Sequence, residues 1–200
     1  MPAWETIGLR LLAIGGGLVV WFVTQRMIGA RSLADGAMYD HLHVVTAGWN
    51  RWLHDHPRAA HAVLIASSLG VDTVTLFVLA LAVFGPSFQP FWGLLALFLL
   101  RQLCQAAVAL PPPPGIIWRN PGFVSLFVTY DVGNDFFFSG HTALAVYGAM
   151  QLATLHIPLL TAAGIVVAAL QIVAVIALRA HWTIDVVAGL AAAVAVGLLI

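Results

Sequence analysis

Ile157–Leu178, IPLLTAAGIVVAALQIVAVIAL, runs for twenty-two residues without a charged side chain. At ~1.5 Å per residue such a stretch covers the ~30 Å hydrocarbon core of a bilayer, so it reads as a spanning helix. Outward from it, five further apolar stretches lie at about 7–27, 60–84, 91–110, 140–155 and 182–200. The expectation is an all-α, polytopic membrane protein with six transmembrane helices in one integral membrane domain, 1–200. The 140–155 stretch is short, and only His156 and Pro158 part it from 157–178, which predicts a tight helical hairpin. Alternation at period two is absent, which argues against a lipid-facing barrel.

Composition agrees. The 200 residues are 62% hydrophobic and carry eight basic and eight acidic side chains, 8% charged where soluble domains have about 25%. A soluble sphere of this composition would expose far more contiguous apolar surface than the few hundred Å² that monomers tolerate. Zero net charge and a single cysteine, Cys104, exclude a disordered chain, a nucleic-acid binder and a disulfide scaffold. The first apolar stretch exceeds the ~7–15 residues of a signal-peptide core, so it reads as a span and not as a cleaved leader.

Two connections are long. The first, about 28–59, mixes Arg31, Arg51 and Arg58 with Trp49 and Trp52, as suits a segment lying at headgroup depth. The second, 111–139, opens on Pro111–Pro114, which stop a helix because proline lacks an amide donor. Arg26, Arg31, Arg51, Arg58, Arg101, Arg119 and Arg179 lie in or beside the first, third and fifth connections, and only Arg10 leans the other way. The positive-inside rule puts the arginine-rich side in the cytoplasm; Arg101, Arg119 and Arg179 also have chemistry as a reason to be there, so orientation stays open.

Polar residues in so apolar a chain are functional candidates, because a charge at the centre of a span costs at least ~2.5–3.5 kcal/mol. His141 opens the fourth apolar stretch within Phe136-Phe137-Phe138-Ser139-Gly140-His141-Thr142, and His181 and Asp185 open the sixth. Residues four apart share a helix face, so Asp185 can accept from one ring nitrogen of His181 and leave the other with a free lone pair. The same carboxylate stabilises the charge that develops if the ring attacks an electrophile. Ser139 suits an N-cap, Gly140 lets a ligand approach the backbone, and the free amides there point at an anion such as phosphate. His141 can donate a proton to a leaving oxygen. Alternation of the spans places both helix mouths on one side, where the two histidines converge.

Asn134-Asp135-Phe136-Phe137-Phe138-Ser139-Gly140-His141-Thr142 and Arg179-Ala180-His181-Trp182-Thr183-Ile184-Asp185-Val186 resemble the second and third motifs of the type-2 phosphatidic acid phosphatase superfamily. Within it they are closest to the sphingomyelin synthase-like branch. They are similar also to the plant phosphatidylcholine:diacylglycerol cholinephosphotransferases, as is the Cys104–Pro114 stretch. The resemblance covers about residues 100–195. It implies a six-helix bundle acting on lipid phosphates, with His181 as nucleophile forming a phosphohistidine, Asp185 orienting it, and His141 as acid and then base. The mechanism needs no metal, and no cofactor is expected.

Departures from the phosphatase pattern refine the reading. The lysine and Arg-Pro motif is absent, and Val175 stands where a Ser-Arg pair would precede the second histidine. A phosphodiester bearing choline or ethanolamine needs fewer cations and more anionic or aromatic partners. Asp131, Asp135, Tyr130, Trp182 and Phe136–Phe138 are placed to supply them, and Arg179 and Arg101 to reach phosphate oxygens. Headgroup transfer from a phospholipid donor to diacylglycerol or ceramide is therefore favoured. The alternatives are a lipid phosphatase with water as acceptor and a non-catalytic carrier or scaffold, which predicts histidine rings beyond roughly 8–10 Å of each other, or hydrogen-bonded with no pocket between them. Asp72 reads either as a headgroup-pocket wall or as a polar contact between helices. His41, His43, His54, His56 and His61 of the first connection read as solvated, not as metal ligands. Headgroup, membrane and oligomeric state are not fixed by the sequence.

Overall fold

The computed structural model describes residues 4–30, 36, 38–122, 124–128, 130 and 135–200, and every regular element among them is a helix. In chain order these are α1 (Trp4–Gly29), α2 (His41–Val45), α3 (Ala47–Asp55), α4 (Pro57–Phe84), α5 (Gln89–Ala107), α6 (Gly140–Ala153), α7 (Pro158–Ala177) and α8 (Thr183–Leu199).

Each of the six expected apolar stretches is helical, yet only α1, α4, α5 and α7 are long and apolar enough to cross a membrane. The six expected spans are thus corrected to four. The 14-residue α6 and the 17-residue α8 fall short; their lengths come to about 21 and 26 Å against the ~30 Å of a hydrocarbon core. Polar residues trim their ends. Ser139 caps α6, and the Trp182 N–H goes to the Asp185 carboxylate (3.0 Å), so α8 begins only at Thr183. At its other end α6 gives way to the hairpin turn at His156, whose φ is 55°.

A helix apolar all round belongs at the centre of a bundle, and α6 is buried without a break from Thr142 to Ala149. Around it pack α4, α5, α7 and α8, while α1 lies against α4 and α5. Close approach of α7 depends on Gly164, where a Cβ would stand 2.9 Å from the Ala149 Cα. Leu103, Leu159, Leu170 and Leu198 face outward, giving the apolar surface that a bilayer covers. On α1, Arg10 donates to the carbonyls of Ala82 (3.0 Å), Val83 (3.3 Å) and Gly85 (2.8 Å), which the end of α4 leaves without helical partners.

Both long connections gather at the end of the bundle where α6 and α8 begin. Asn50 of α3 donates to the carbonyls of Gly115 and Ala177 at 3.0 Å, and the Ile117 amide donates to the Leu178 carbonyl at 2.7 Å. The Ser139 amide donates to the Asp185 carbonyl at 3.0 Å, joining the start of α6 to the first turn of α8.

That junction depends on Gly189. A Cβ there would stand 2.5 Å from the Ser139 carbonyl oxygen, a backbone atom that cannot swing aside. Gly189→Ala is therefore expected to lower stability by about 1–3 kcal/mol, as overpacking does. Thermal unfolding in detergent checks it: an unchanged midpoint would show that the two helices part without strain.

Candidate active site

Ser139 adopts an extended conformation before α6, and its hydroxyl accepts from the Thr142 amide (3.3 Å) and the Thr142 hydroxyl (3.1 Å). This cap starts the helix one residue before His141, so the imidazole projects from the first turn. His181 stands on the short turn between α7 and α8. The two rings meet with centroids 6.0 Å apart, inside the roughly 8–10 Å beyond which they could not reach one phosphorus atom together.

The protons on His181 follow from its neighbours. Its Nδ1 lies 3.0 Å from the Phe136 carbonyl oxygen and 3.4 Å from Asp185 Oδ2. A carbonyl only accepts, so Nδ1 carries a proton, and in the neutral ring Nε2 keeps the lone pair. Asp185 is fully buried behind the ring, its Oδ2 also accepting from the Trp182 amide and its Oδ1 without a partner. Orientation of His181 is thus shared between the expected carboxylate and a backbone carbonyl that no side-chain pattern announces. The Nε2 of His141 is buried without a partner, and its ring meets Trp118 edge-on at 5.0 Å.

The histidines and Gly140 line a narrow cavity of about 30 Å³, walled by Trp21, Phe98, Trp118, Phe127 and Phe136. A larger groove of about 510 Å³, between α3, α4 and α7 with Trp49 and Trp52 at its rim, holds none of these groups.

Arg101 and Asp135 also line the cavity, but as an ion pair at 3.0 Å. Arg101 donates further to the Phe138 carbonyl (3.3 Å) and to Gln25 Oε1 (3.1 Å), and Gln25 Nε2 donates back to Asp135 Oδ2 (2.9 Å). A Cβ at position 140 would stand 3.0 Å from Arg101 Nε, so Gly140 leaves room for the guanidinium beside the helix start.

Three expected substrate contacts lie elsewhere. Arg179 points away from the cavity and donates to the His43 carbonyl. Trp182 is buried behind the turn, its indole N–H on the Pro111 carbonyl (2.8 Å) and its ring stacked on His43. Tyr130 backs Trp118 at 4.8 Å and pairs its hydroxyl with Ser68; burial, helped by the nearby Asp72, pushes that phenol above its ordinary value. Asp131 falls outside the described residues.

Asp72 accepts from the backbone amides of Leu126 (3.0 Å) and Phe127 (3.1 Å). Both bonds fix the loop that carries Phe127 into the cavity wall, and Asp72 is not among the residues lining that cavity. His41, His54, His56 and His61 are exposed as expected, whereas His43 is 3% exposed, a correction taken up below. Sequence reasoning also missed Trp21, Gln25, Phe98 and Trp118. Gln25 carries the one available signal, a polar residue inside an apolar helix.

The chain matches the family model described as AtPDCT1/2 over residues 39–200, reaching well before the residues 100–195 on which the motifs had suggested a likeness. No curated protein and no solved structure matches it.

Proposed function

As the chain belongs to the AtPDCT1/2 family of plant phosphatidylcholine:diacylglycerol cholinephosphotransferases, we propose that it transfers a phosphocholine or phosphoethanolamine headgroup between membrane lipids through His181. The observation that carries this reading is the pairing of the two imidazoles at 6.0 Å, with the Nδ1 proton of His181 committed to Phe136.

In the first half-reaction the Nε2 lone pair of His181 forms a bond to the headgroup phosphorus. Burial, His181 and Arg101 hold the His141 imidazole well below its ordinary value, so it takes up a proton as the anionic headgroup phosphate enters. The bond from phosphorus to the diacylglycerol oxygen then breaks, and His141 gives that oxygen its proton, releasing diacylglycerol. The headgroup phosphate then rests on His181 as a phosphohistidine, with Asp185 compensating the charge on the ring. In the second half-reaction the acceptor hydroxyl yields its proton to His141 and attacks phosphorus, and the N–P bond breaks. Diacylglycerol is the favoured acceptor and ceramide the second. No step calls for a metal or cofactor.

The walls have the chemistry of a site for a quaternary ammonium, which the cavity of about 30 Å³ must widen to admit. Trp21, Phe98, Trp118, Phe127 and Phe136 offer aromatic faces of the kind such cations favour. Arg101, already paired with Asp135, is the cation lining the cavity among the described residues. A monoanionic diester asks for no more than that, whereas a phosphomonoester dianion would.

Purified protein incubated with headgroup-labelled phosphatidylcholine and unlabelled diacylglycerol or ceramide is expected to place label in the second lipid. Label released as water-soluble product would establish hydrolysis, the phosphatase reading with water as acceptor. Retention of all label in the donor, with ethanolamine donors equally inert, would overturn the proposal.

A further inference from the structure

The buried His43 has a position that the reaction itself leaves unexplained. It lies on α2 in the first long connection, on the side of the His181 turn opposite the cavity. Its Nε2–H donates to the backbone carbonyl of His181 at 3.1 Å, and its ring stacks on Trp182 with centroids 5.4 Å apart. Arg179 donates to the His43 carbonyl. Asp40, which caps α2 by accepting from the His43 amide (3.1 Å), also accepts from the Thr183 amide (2.7 Å) and the Thr183 hydroxyl (2.8 Å). Residues 40 and 43 thus grip Arg179, His181, Trp182 and Thr183, almost the whole turn.

The turn needs such a grip. Arg179 has φ 56°, a left-handed conformation that a residue with a Cβ resists and that persists only where its surroundings hold it. Attack at phosphorus requires Nε2 of His181 to be aimed, and that aim follows the His181 backbone as much as the Phe136 and Asp185 contacts.

We infer that His43 and Asp40 are positioning residues for His181, fixing its backbone from outside the cavity so that its free ring nitrogen faces the substrate phosphorus. The inference rests on the reading of His181 as nucleophile. Burial, against the pull of Asp40, holds the His43 imidazole below its ordinary value, which favours the neutral ring with a single N–H to donate.

Donor-to-acceptor label transfer is measured for wild type, His43→Ala, His43→Gln, Asp40→Asn and His181→Ala, with folded enzyme quantified by thermal unfolding. His43→Ala is expected to lower kcat by about 10²-fold, the cost of misplacing a reacting group by an ångström, with KM for donor and acceptor unchanged. His43→Gln, which keeps an N–H for the His181 carbonyl, recovers most of kcat, and Asp40→Asn falls between. A purely structural role would reduce the amount of folded enzyme and leave its kcat intact. The positioning role is overturned if His43→Ala keeps wild-type kcat, if His43→Gln is no better than His43→Ala, or if KM rises at constant kcat. Should His43→Ala not fold, the Gln and Asp40→Asn variants decide alone: near wild-type rate for the first with a clear fall for the second supports it, and equal rates overturn it. Activity surviving in His181→Ala would instead sink the nucleophile reading, and this inference with it.

Discussion

His181→Ala is expected to abolish headgroup transfer, with a loss of about 10⁴-fold or more, the scale seen when a covalent nucleophile is removed. Among the described residues, His141 is the one other imidazole nucleophile lining the cavity. The Ser139 hydroxyl is fully buried and occupied by Thr142, and Cys104 lies on α5 outside the cavity. The loss should belong to chemistry and not to folding: Asp185 keeps its bond to the Trp182 amide, while its Oδ2 and the Phe136 carbonyl both lose the His181 N–H, at a cost of about 1–3 kcal/mol for each buried acceptor. Rapid quenching with labelled headgroup phosphate provides the direct check. Wild type should carry acid-labile label on the protein before acceptor is added, and the variant none at an equal folded fraction. Labelled His181→Ala would place the covalent bond on another residue.

His141→Ala is expected to lower transfer by about 10²–10⁴-fold, the range for loss of general acid–base catalysis. Its unpartnered Nε2, in a ring 6.0 Å from that of His181, is the group available to protonate the departing oxygen. The leaving group supplies the test. A 4-nitrophenyl phosphocholine donor departs without needing a proton, so the variant should form the His181 adduct from it at nearly the wild-type rate. The diacylglycerol-bearing donor should remain slow. Equal losses with both donors would remove His141 from the acid role and leave it as a wall of the cavity.

The long apolar helices and the His181–Asp185 approach were legible because each depends on local rules. Twenty apolar residues in a row answer only to the thickness of hydrocarbon, and two residues four apart stay close even across a helix start, as His181 on the turn and Asp185 in α8 do. The number of spans was misread because polar ends cut α6 and α8 to 14 and 17 residues. Hydropathy sums over residues and does not register that Trp182 gives its amide to Asp185 in place of continuing a helix.

Partners of the site were legible only in part. Arg101 and Asp135 were expected to touch phosphate and headgroup separately, and they are bonded to each other with Gln25 of α1 as a bridge. Arg179 and Trp182 flank His181 in the sequence yet face α2, because neighbours on a turn point to opposite sides. His43 looked like one of five solvated histidines until the fold set it against the His181 carbonyl, 138 positions away.

The sequence by itself determined that the chain is helical and rich in long apolar segments, and that two histidines and a carboxylate lie at or just before the starts of two of its helices. Only the tertiary structure decided what surrounds them: the Phe136 carbonyl on Nδ1, the aromatic walls drawn from α1, α5 and the second connection, and the grip of α2 on the His181 turn. Helix periodicity and hydrophobicity are properties of neighbouring residues and leave a pattern along the chain. Pairing between distant segments is set by how closely whole helices pack, and a backbone carbonyl, which every residue carries, leaves no mark in the sequence at all.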